Sequence, residues 1–363
     1  MTRTDRILGA ALSIAVTAVG LLWWANPASY PFGAHDRVTV SLSHLIEHAT
    51  AGAMTAAAGL LGLVLVFAPR PVLRAGAIVQ LLFFGVVMSD AGIMSLLGYG
   101  LALLGPVALV AVVVMACLRG RWPGFACLGA LVALVGAGVV SGVGSPDVMR
   151  LVTSNIITGF ASYAGRLGWT LANAAAFAVW ALIAVKAFSD GERPRWASAA
   201  SVARWGRVAT IGAAMCPLPY ALYRLTWLTP WPTDSALTGA LDPGTRLQGV
   251  IIAFGALLGA VLTLGLISRW GEVFPSWVPF YHGRPVPVRP PVVAGGLIAG
   301  ACCLATPGLV VNAVENGQVE MLLLWPYPVW AVLLGAAVLA YWLRRGPHGR
   351  EDVPDIAGSG LRR

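Results

Sequence analysis

Two histidines and a glutamate at close spacing, His44, Glu47 and His48, form the one motif in the sequence that suggests metal chemistry. In zinc hydrolases, two His at this spacing bind the metal and a Glu beside them activates a bound water. On an α-helix, residues four apart lie on one face, so both imidazoles could reach one ion. The spacing therefore predicts His44, His48 and Glu47 as candidate zinc ligands, with Glu47 as a possible general base.

A second interpretation of the same motif needs no metal. Polar residues commonly mark the point where an apolar helix enters water, and an apolar run begins directly after His48. No downstream Glu stands in a recognisable ligand helix. The motif is therefore open to three interpretations, which are a polar boundary, a metal or proton site, and a hydrolase centre.

Two other ionisable residues interrupt apolar runs. Asp90 lies near the end of one run, and Arg224 follows the two prolines Pro217 and Pro219 in another. A charge in hydrocarbon is costly unless it is paired or faces water. We expect Asp90 and Arg224 to pair across a shared cavity and, with Glu47, to contribute to a solute-binding surface.

The composition defines the elements that must position these residues. Of 363 residues, 58% are hydrophobic and 11% are charged, and the mean hydropathy is +0.78. Soluble domains carry about a quarter charged residues, so a soluble fold is excluded. The sequence predicts an all-α, polytopic transmembrane helical bundle over 1–346, followed by a flexible cytoplasmic tail over 347–363.

Ten segments have the length and apolarity of a membrane-spanning helix. A further connection, 141–168, has apolar residues three to four apart and predicts an amphipathic helix at the membrane interface. The ten predicted spans are 7–24, 49–69, 75–95, 101–118, 124–140, 169–188, 208–228, 247–267, 291–309 and 327–343.

The basic residues predict the orientation of these spans. Nineteen of the 24 Lys and Arg fall on one side if the N-terminus is cytoplasmic, which is a strong positive-inside bias. Both termini are therefore predicted to be cytoplasmic. The net charge of +9 then has a topological cause, and nucleic acid is excluded as a partner. One Lys against 23 Arg, with abundant Ala and Gly, indicates a bacterial coding bias and hence a bacterial plasma membrane.

The predicted inner loop 270–291 is dense in proline and aromatic residues and is expected to be extended and rigid. Such a loop could dock a membrane protein partner. The runs Arg269–Pro275 and Pro217–Trp227 resemble segments of uncharacterised multi-pass membrane proteins of actinobacteria. The resemblance implies a membrane location, and no activity comes with it.

The sequence favours a permease or transporter of a small solute, with an outward-facing polar cavity in the bilayer. His44, Glu47, His48, Asp90 and Arg224 all map to the predicted outer half of the membrane, where such a cavity would open. Two alternatives stay open. One is a noncatalytic accessory or assembly subunit that docks through 270–291, and the other is a membrane-embedded enzyme that uses the His44–His48 motif with zinc.

Overall fold

The computed structural model describes residues 2–32, 40–118, 145–188, 195–228, 243–275 and 281–346, with parts of 125–136. The predicted all-helical class is confirmed, and the described residues form no β-strand. In the described part of the chain, seven helical segments are long and apolar enough to cross a membrane. The protein is therefore a multi-pass helical protein with the composition of a membrane protein.

The α-helices whose bounds the structure describes are α1 (Arg3–Ala25), α2 (His48–Leu65), α3 (Arg70–Leu82), α4 (Gly92–Cys117), α5 (Pro146–Ser162), α6 (Ala164–Phe188), α7 (Ala199–Met215), α8 (Leu218–Leu225), α9 (Pro243–Gly265), α10 (Arg289–Glu315), α11 (Met321–Leu324) and α12 (Tyr327–Arg345). Short 3₁₀ turns lie at Pro27–Ser29, Leu42–Leu45, Arg195–Ala197, Thr226–Leu228 and Arg269–Gly271.

Two predicted spans are wrong as single helices. The helix predicted over 75–95 ends in a π-helical turn, Phe83–Val87, and α4 starts only at Gly92. The helix predicted over 208–228 is divided into α7 and α8 at Pro217, because proline has no N–H to continue the hydrogen-bond ladder. The count of ten spans and the cytoplasmic termini stay predictions. Most of the predicted span 124–140 and the whole tail 347–363 lie outside the described residues.

Helices α1 and α2 form the closest helix pair, and glycine makes the approach possible. A Cβ added at Gly20 would lie 2.2 Å from the Ala56 backbone nitrogen, and one at Gly52 would lie 2.5 Å from the Trp24 nitrogen. Backbones this close leave no room for a side chain. Small residues let membrane helices associate through van der Waals contact where lipid removes the hydrophobic driving force.

Helix α6 packs antiparallel against α3. Four of the buried polar residues lie on this pair, namely Gln80, Arg166, Thr170 and Asn173. Arg74 Nε donates to the Ala187 carbonyl at 2.8 Å near one end of the pair, and Asp90 meets Arg166 at the other end. Trp180 is 1% exposed at the centre of the surrounding apolar cluster. Together with the residues up to Asp90 that follow α3, this contact surface thus runs along most of the length of α6.

A second packed region joins α7, α10 and α12. A Cβ at Gly206 would lie 2.5 Å from the Ala340 Cβ, and one at Gly212 would lie 2.9 Å from Leu333 Cδ1, so α7 runs antiparallel to α12. The cluster that these helices share is built from alanine and branched aliphatic residues. Its buried members are Ala209, Ala213, Leu266, Ala299, Leu334, Ala337, Val338 and Tyr341.

Candidate functional site

Asp90 lies where the chain breaks between the π-turn and α4. Its backbone pairs with an extended segment from the connection before α2, because the Ala91 N–H donates to the Val40 carbonyl at 2.9 Å. One side-chain oxygen, Oδ1, accepts from the Gly92 N–H at 2.9 Å and so satisfies an otherwise free donor at the start of α4. The helix break is what brings the carboxylate into the protein interior.

Asp90 forms a two-pronged ion pair with Arg166, near the start of α6. Arg166 Nη2 donates to Oδ1 at 2.7 Å and Nε donates to Oδ2 at 3.0 Å. The two side chains are only 1% and 7% exposed. Thr170, one turn later on α6, donates its hydroxyl to Oδ2 at 2.7 Å. Each carboxylate oxygen therefore accepts two hydrogen bonds, which is the arrangement that makes a buried charge tolerable.

The segment from Val40 to Ile46 covers this ion pair. Ser41 and Ser43 are fully buried, and the Tyr30 hydroxyl donates to the Ser43 carbonyl at 2.7 Å. A Cβ at Gly308 would lie 2.0 Å from the Val40 carbonyl oxygen, so the segment is pressed directly onto α10. The covering segment is thus held by both halves of the protein.

Further polar side chains continue from Thr170 toward the middle of the α3–α6 interface. Asn173 donates its side-chain amide to the Phe84 carbonyl at 3.0 Å, and Gln80 donates to the Ala58 carbonyl at 2.7 Å. Both are at most 2% exposed. A Cβ at Gly62 would lie 2.5 Å from Ser13 Oγ and 3.1 Å from Gln80 Nε2, which places Ser13 beside Gln80. We call Asp90, Arg166, Thr170, Asn173, Gln80 and Ser13 the polar row.

The polar row has unused hydrogen-bonding capacity. Among the described residues, Gln80 Oε1, Asn173 Oδ1 and Ser13 Oγ have no hydrogen-bond partner, and neither does the nearby Thr55 Oγ1. Buried polar atoms in native proteins are almost always paired, and each exception calls for an explanation. Of the nine buried side-chain atoms without a partner in the described residues, three belong to the polar row.

The expected pairing of Asp90 with Arg224 is wrong, because Arg166 occupies the carboxylate. Arg224 instead donates its Nε to the Tyr220 hydroxyl at 2.9 Å and lies 4.0 Å from the ring centroid of Trp227. A guanidinium held over an aromatic face needs no carboxylate to be stabilised. The assignment of Asp90, Arg224 and Glu47 to a solute-binding surface stays a prediction.

Sequence reasoning missed Arg166, which was assigned to an outer loop. Helix α6 begins at Ala164, five residues before the predicted span. The prediction started too late because the charge of Arg166 lowers the local hydropathy. The missed signal is a helical spacing. Arg166, Thr170 and Asn173 recur at intervals of four and three residues and so lie on one face of α6.

The His44–Glu47–His48 motif does not lie on one helix. His44 belongs to the 3₁₀ turn Leu42–Leu45, whereas His48 is the first residue of α2. The two residues between them, Ile46 and Glu47, have extended backbone angles. The expectation that the two imidazoles share a helical face is therefore wrong.

The contacts of His44 also differ from those of a metal ligand. Its Nδ1 contacts the Ser41 carbonyl, and its Nε2 lies 3.4 Å from Oε1 of Glu315 at the end of α10. Glu47 is exposed. In the described part of the chain, no three His, Cys, Asp or Glu side chains are grouped as metal ligands would be. Zinc binding by His44, His48 and Glu47 stays a prediction.

Comparison with protein-family models, curated proteins and solved structures finds no match for this chain.

Proposed function

We propose that the protein is a permease for a small polar solute and that the solute moves along the polar row between α3 and α6. The observation that carries the proposal is the set of buried, unpaired oxygens on Gln80, Asn173 and Ser13. Arg166 and Asn173 lie two turns apart on α6, a rise of about 10 Å. Gln80 precedes Phe84, whose carbonyl Asn173 contacts, by about one further turn, roughly 6 Å. The row would therefore reach from one membrane surface to about half the depth of a 30 Å hydrocarbon core.

Energetics supports a transport role over a purely structural one. Leaving a buried polar atom unpaired costs about 1–3 kcal/mol, and an apolar side chain of similar shape would avoid that cost. Polar residues inside membrane bundles generally mark the pathways of substrates, ions or protons. A solute or water that passes along α3 and α6 would supply the missing hydrogen-bond partners.

The broken backbone beside the polar row supports the same proposal. A π-turn and a helix interruption, Phe83–Ala91, lie directly against Arg166 and Asn173. Irregular backbone at membrane depth is tolerated where it lines a cavity or is buried in protein, and transporters often place binding sites at such breaks. In the conformation described, the polar row is closed at the Asp90 end by Val40–Ile46.

We further propose ten spans with cytoplasmic termini, in a bacterial plasma membrane, which would make Asp90 the outer end of the row. The positive-inside pattern supports this orientation. The accessory-subunit hypothesis, with docking through 270–291, stays a prediction. There, Val273 and Pro285 lie opposite each other in an isolated antiparallel bridge, and Tyr341 donates to the Gly271 carbonyl at 2.9 Å. The enzyme hypothesis also stays a prediction.

Solute entry into proteoliposomes tests the permease proposal. After a hyperosmotic shift with urea, glycerol, erythritol or free glycine, light scattering would follow reswelling as the solute enters. We expect at least one of these solutes to enter faster than in protein-free liposomes. If none does, the permease proposal is contradicted.

Substitutions in the row locate the path. Gln80→Leu and Asn173→Leu should each slow entry by about tenfold, because each removes a hydrogen-bonding group from the solute's path. Thr210→Val is the matched control. Thr210 is also fully buried, but it lies on α7 and donates to the Gly206 carbonyl at 2.7 Å. Equal slowing by all three variants would place the path elsewhere.

A further inference from the structure

A groove of about 570 Å³ lies between α7 and α12 on the outside of the bundle. It opens sideways, toward the surface that a membrane would cover. One end of the groove is polar and aromatic, and the rest is apolar. The residues that define these two parts are Ser201, Arg204 and Trp205 at the polar end, and Val208, Leu333 and Ala336 along the apolar part.

The apolar part of the groove has the surface that an acyl chain needs. Val208 is 68% exposed, and Leu333 and Ala336 are half-buried on the facing helix. The close approach of α7 to α12 at Gly206 fixes the two walls relative to each other. Val208 lies one turn from Arg204 on α7, so an apolar chain that follows the groove would start beside the guanidinium.

The polar end is built like a membrane interface. Trp205 donates its ring N–H to the Trp196 carbonyl at 3.0 Å, and the two rings lie 6.4 Å apart. Tryptophan pairs of this kind are enriched at the level of lipid headgroups. This hydrogen bond holds the Trp205 side chain in position, so the polar end is already formed before a ligand binds.

The polar end of the groove is positively charged, and part of this charge is not paired with a carboxylate of the described residues. Because α7 and α12 are antiparallel, Arg204 lies at the same end of the bundle as Arg344 and Arg345. Arg344 donates to the Leu266 carbonyl, and Arg345 donates to the Gly271 carbonyl at 3.2 Å. In the part of the chain that the structure describes, Arg204 has no carboxylate partner. The groove is therefore complementary to an anion.

We propose that this groove binds a phospholipid with an anionic headgroup, with the phosphate on Arg204 and an acyl chain along Val208, Leu333 and Ala336. A soluble anion would use only the polar end. A zwitterionic lipid would fill the apolar part, but the positive group beside its phosphate offsets the attraction to Arg204. An anionic phospholipid uses both parts at once. Basic pockets between membrane helices are a recurring way of recognising such headgroups.

Native mass spectrometry of the delipidated protein in detergent tests the site with two lipids of identical chains, dioleoylphosphatidylglycerol and dioleoylphosphatidylcholine. We expect the anionic lipid to bind about fivefold more tightly, the effect of one basic residue near a negative surface. Arg204→Gln should abolish this preference. Ala336→Trp, which fills the apolar part, should weaken both lipids.

Arg207→Gln is the matched control, because Arg207 is exposed on the same helix and does not line the groove. It should leave the fivefold preference intact. Equal losses in Arg204→Gln and Arg207→Gln would overturn the proposal in favour of a diffuse surface charge. Equal binding of the two lipids by the unmodified protein, or displacement of the anionic lipid by millimolar inorganic phosphate, would also overturn it. Unchanged melting temperatures would show that both variants are folded.

Discussion

The two halves of the protein differ in the side chains that fill the space between their helices. Around α3 and α6, the interior contains an ion pair, two amides and several hydroxyls. Around α7, α10 and α12, the interior is mainly alanine and aliphatic side chains with Tyr341, and the fully buried hydroxyl of Thr210 is satisfied within its own helix. The first region buries an ion pair and two amides, whereas the polar atoms of the second are a few hydroxyls and the ring N–H of Trp330.

The difference assigns different tasks to the two regions. Replacing a buried, unpaired polar side chain by an apolar one of similar shape can stabilise a protein. A polar residue at such a position is therefore explained better by function than by stability. That reasoning applies to Gln80 and Asn173, whose side-chain oxygens are buried without a partner. Under the permease proposal, the first half would carry the solute path and the second half would be the scaffold on which it rests.

The largest expected effect is the loss of one member of the buried ion pair. Asp90→Ala or Arg166→Leu should lower the free energy of unfolding by about 3–5 kcal/mol, because each leaves an uncompensated charge in the interior. The double variant Asp90→Leu/Arg166→Leu should recover at least half of that loss. Denaturant titration in detergent micelles measures all three.

Asp147→Ala is the control for this prediction. Asp147 also faces an arginine, Arg150, at 4.0 Å, but both side chains are more than 80% exposed. Exposed pairs contribute little, so no measurable change is expected. Additive losses in the Asp90/Arg166 double variant would show that the two charges are stabilised separately, and the contrast between the halves would lose its main support.

A cavity in the alanine-rich region should have a smaller effect. Leu334 is 4% exposed at the centre of its cluster, and Leu334→Ala should cost about 2 kcal/mol. The low end of the usual range applies because lipid is as apolar as the core, so mainly packing is lost. Solute entry into proteoliposomes should be unchanged. Loss of transport without loss of folding in this variant would contradict the division into functional half and scaffold.

The smallest expected effect is at Arg224. Its guanidinium lies over Trp227 and hydrogen-bonds Tyr220, and no carboxylate among the described residues pairs with it. Arg224→Gln should therefore cost about 1 kcal/mol, the value of a partly desolvated cation–π contact. Thermal unfolding in detergent checks the size. A loss as large as that of Arg166→Leu would show that Arg224 carries a buried charge of its own.

The helical class was predictable because composition alone determines it. The need for a partner of Asp90 was also predictable, since a lone carboxylate in lipid is costly. The helix break at Asp90 could have been found, because Ser89, Asp90 and Gly92 are residues that favour the start of a helix over its middle. A hydropathy average over the length of a whole span does not show this break, because the apolar residues on both sides outweigh these three.

The partner itself was not predictable from hydropathy. The charge of Arg166 moved the predicted start of its span beyond the residue, which placed it in a loop. The His44–His48 spacing failed for a different reason. The i, i+4 rule holds only inside a helix, and whether Ile46 and Glu47 are helical depends on contacts of Ser41 and Ser43 with residues more than 40 positions away.

The π-turn at Phe83–Val87 acts as an inserted residue. Met88 donates to the Phe83 carbonyl at 2.9 Å, five residues back, so this turn holds one residue more than an ordinary one. One added residue turns everything after it by about 100° around the helix axis. Deletion of a single residue from this turn would leave the hydropathy profile nearly unchanged, but it would turn the Asp90 carboxylate away from Arg166. Insertion and deletion, not substitution, are thus the changes to which this part of the protein is most sensitive.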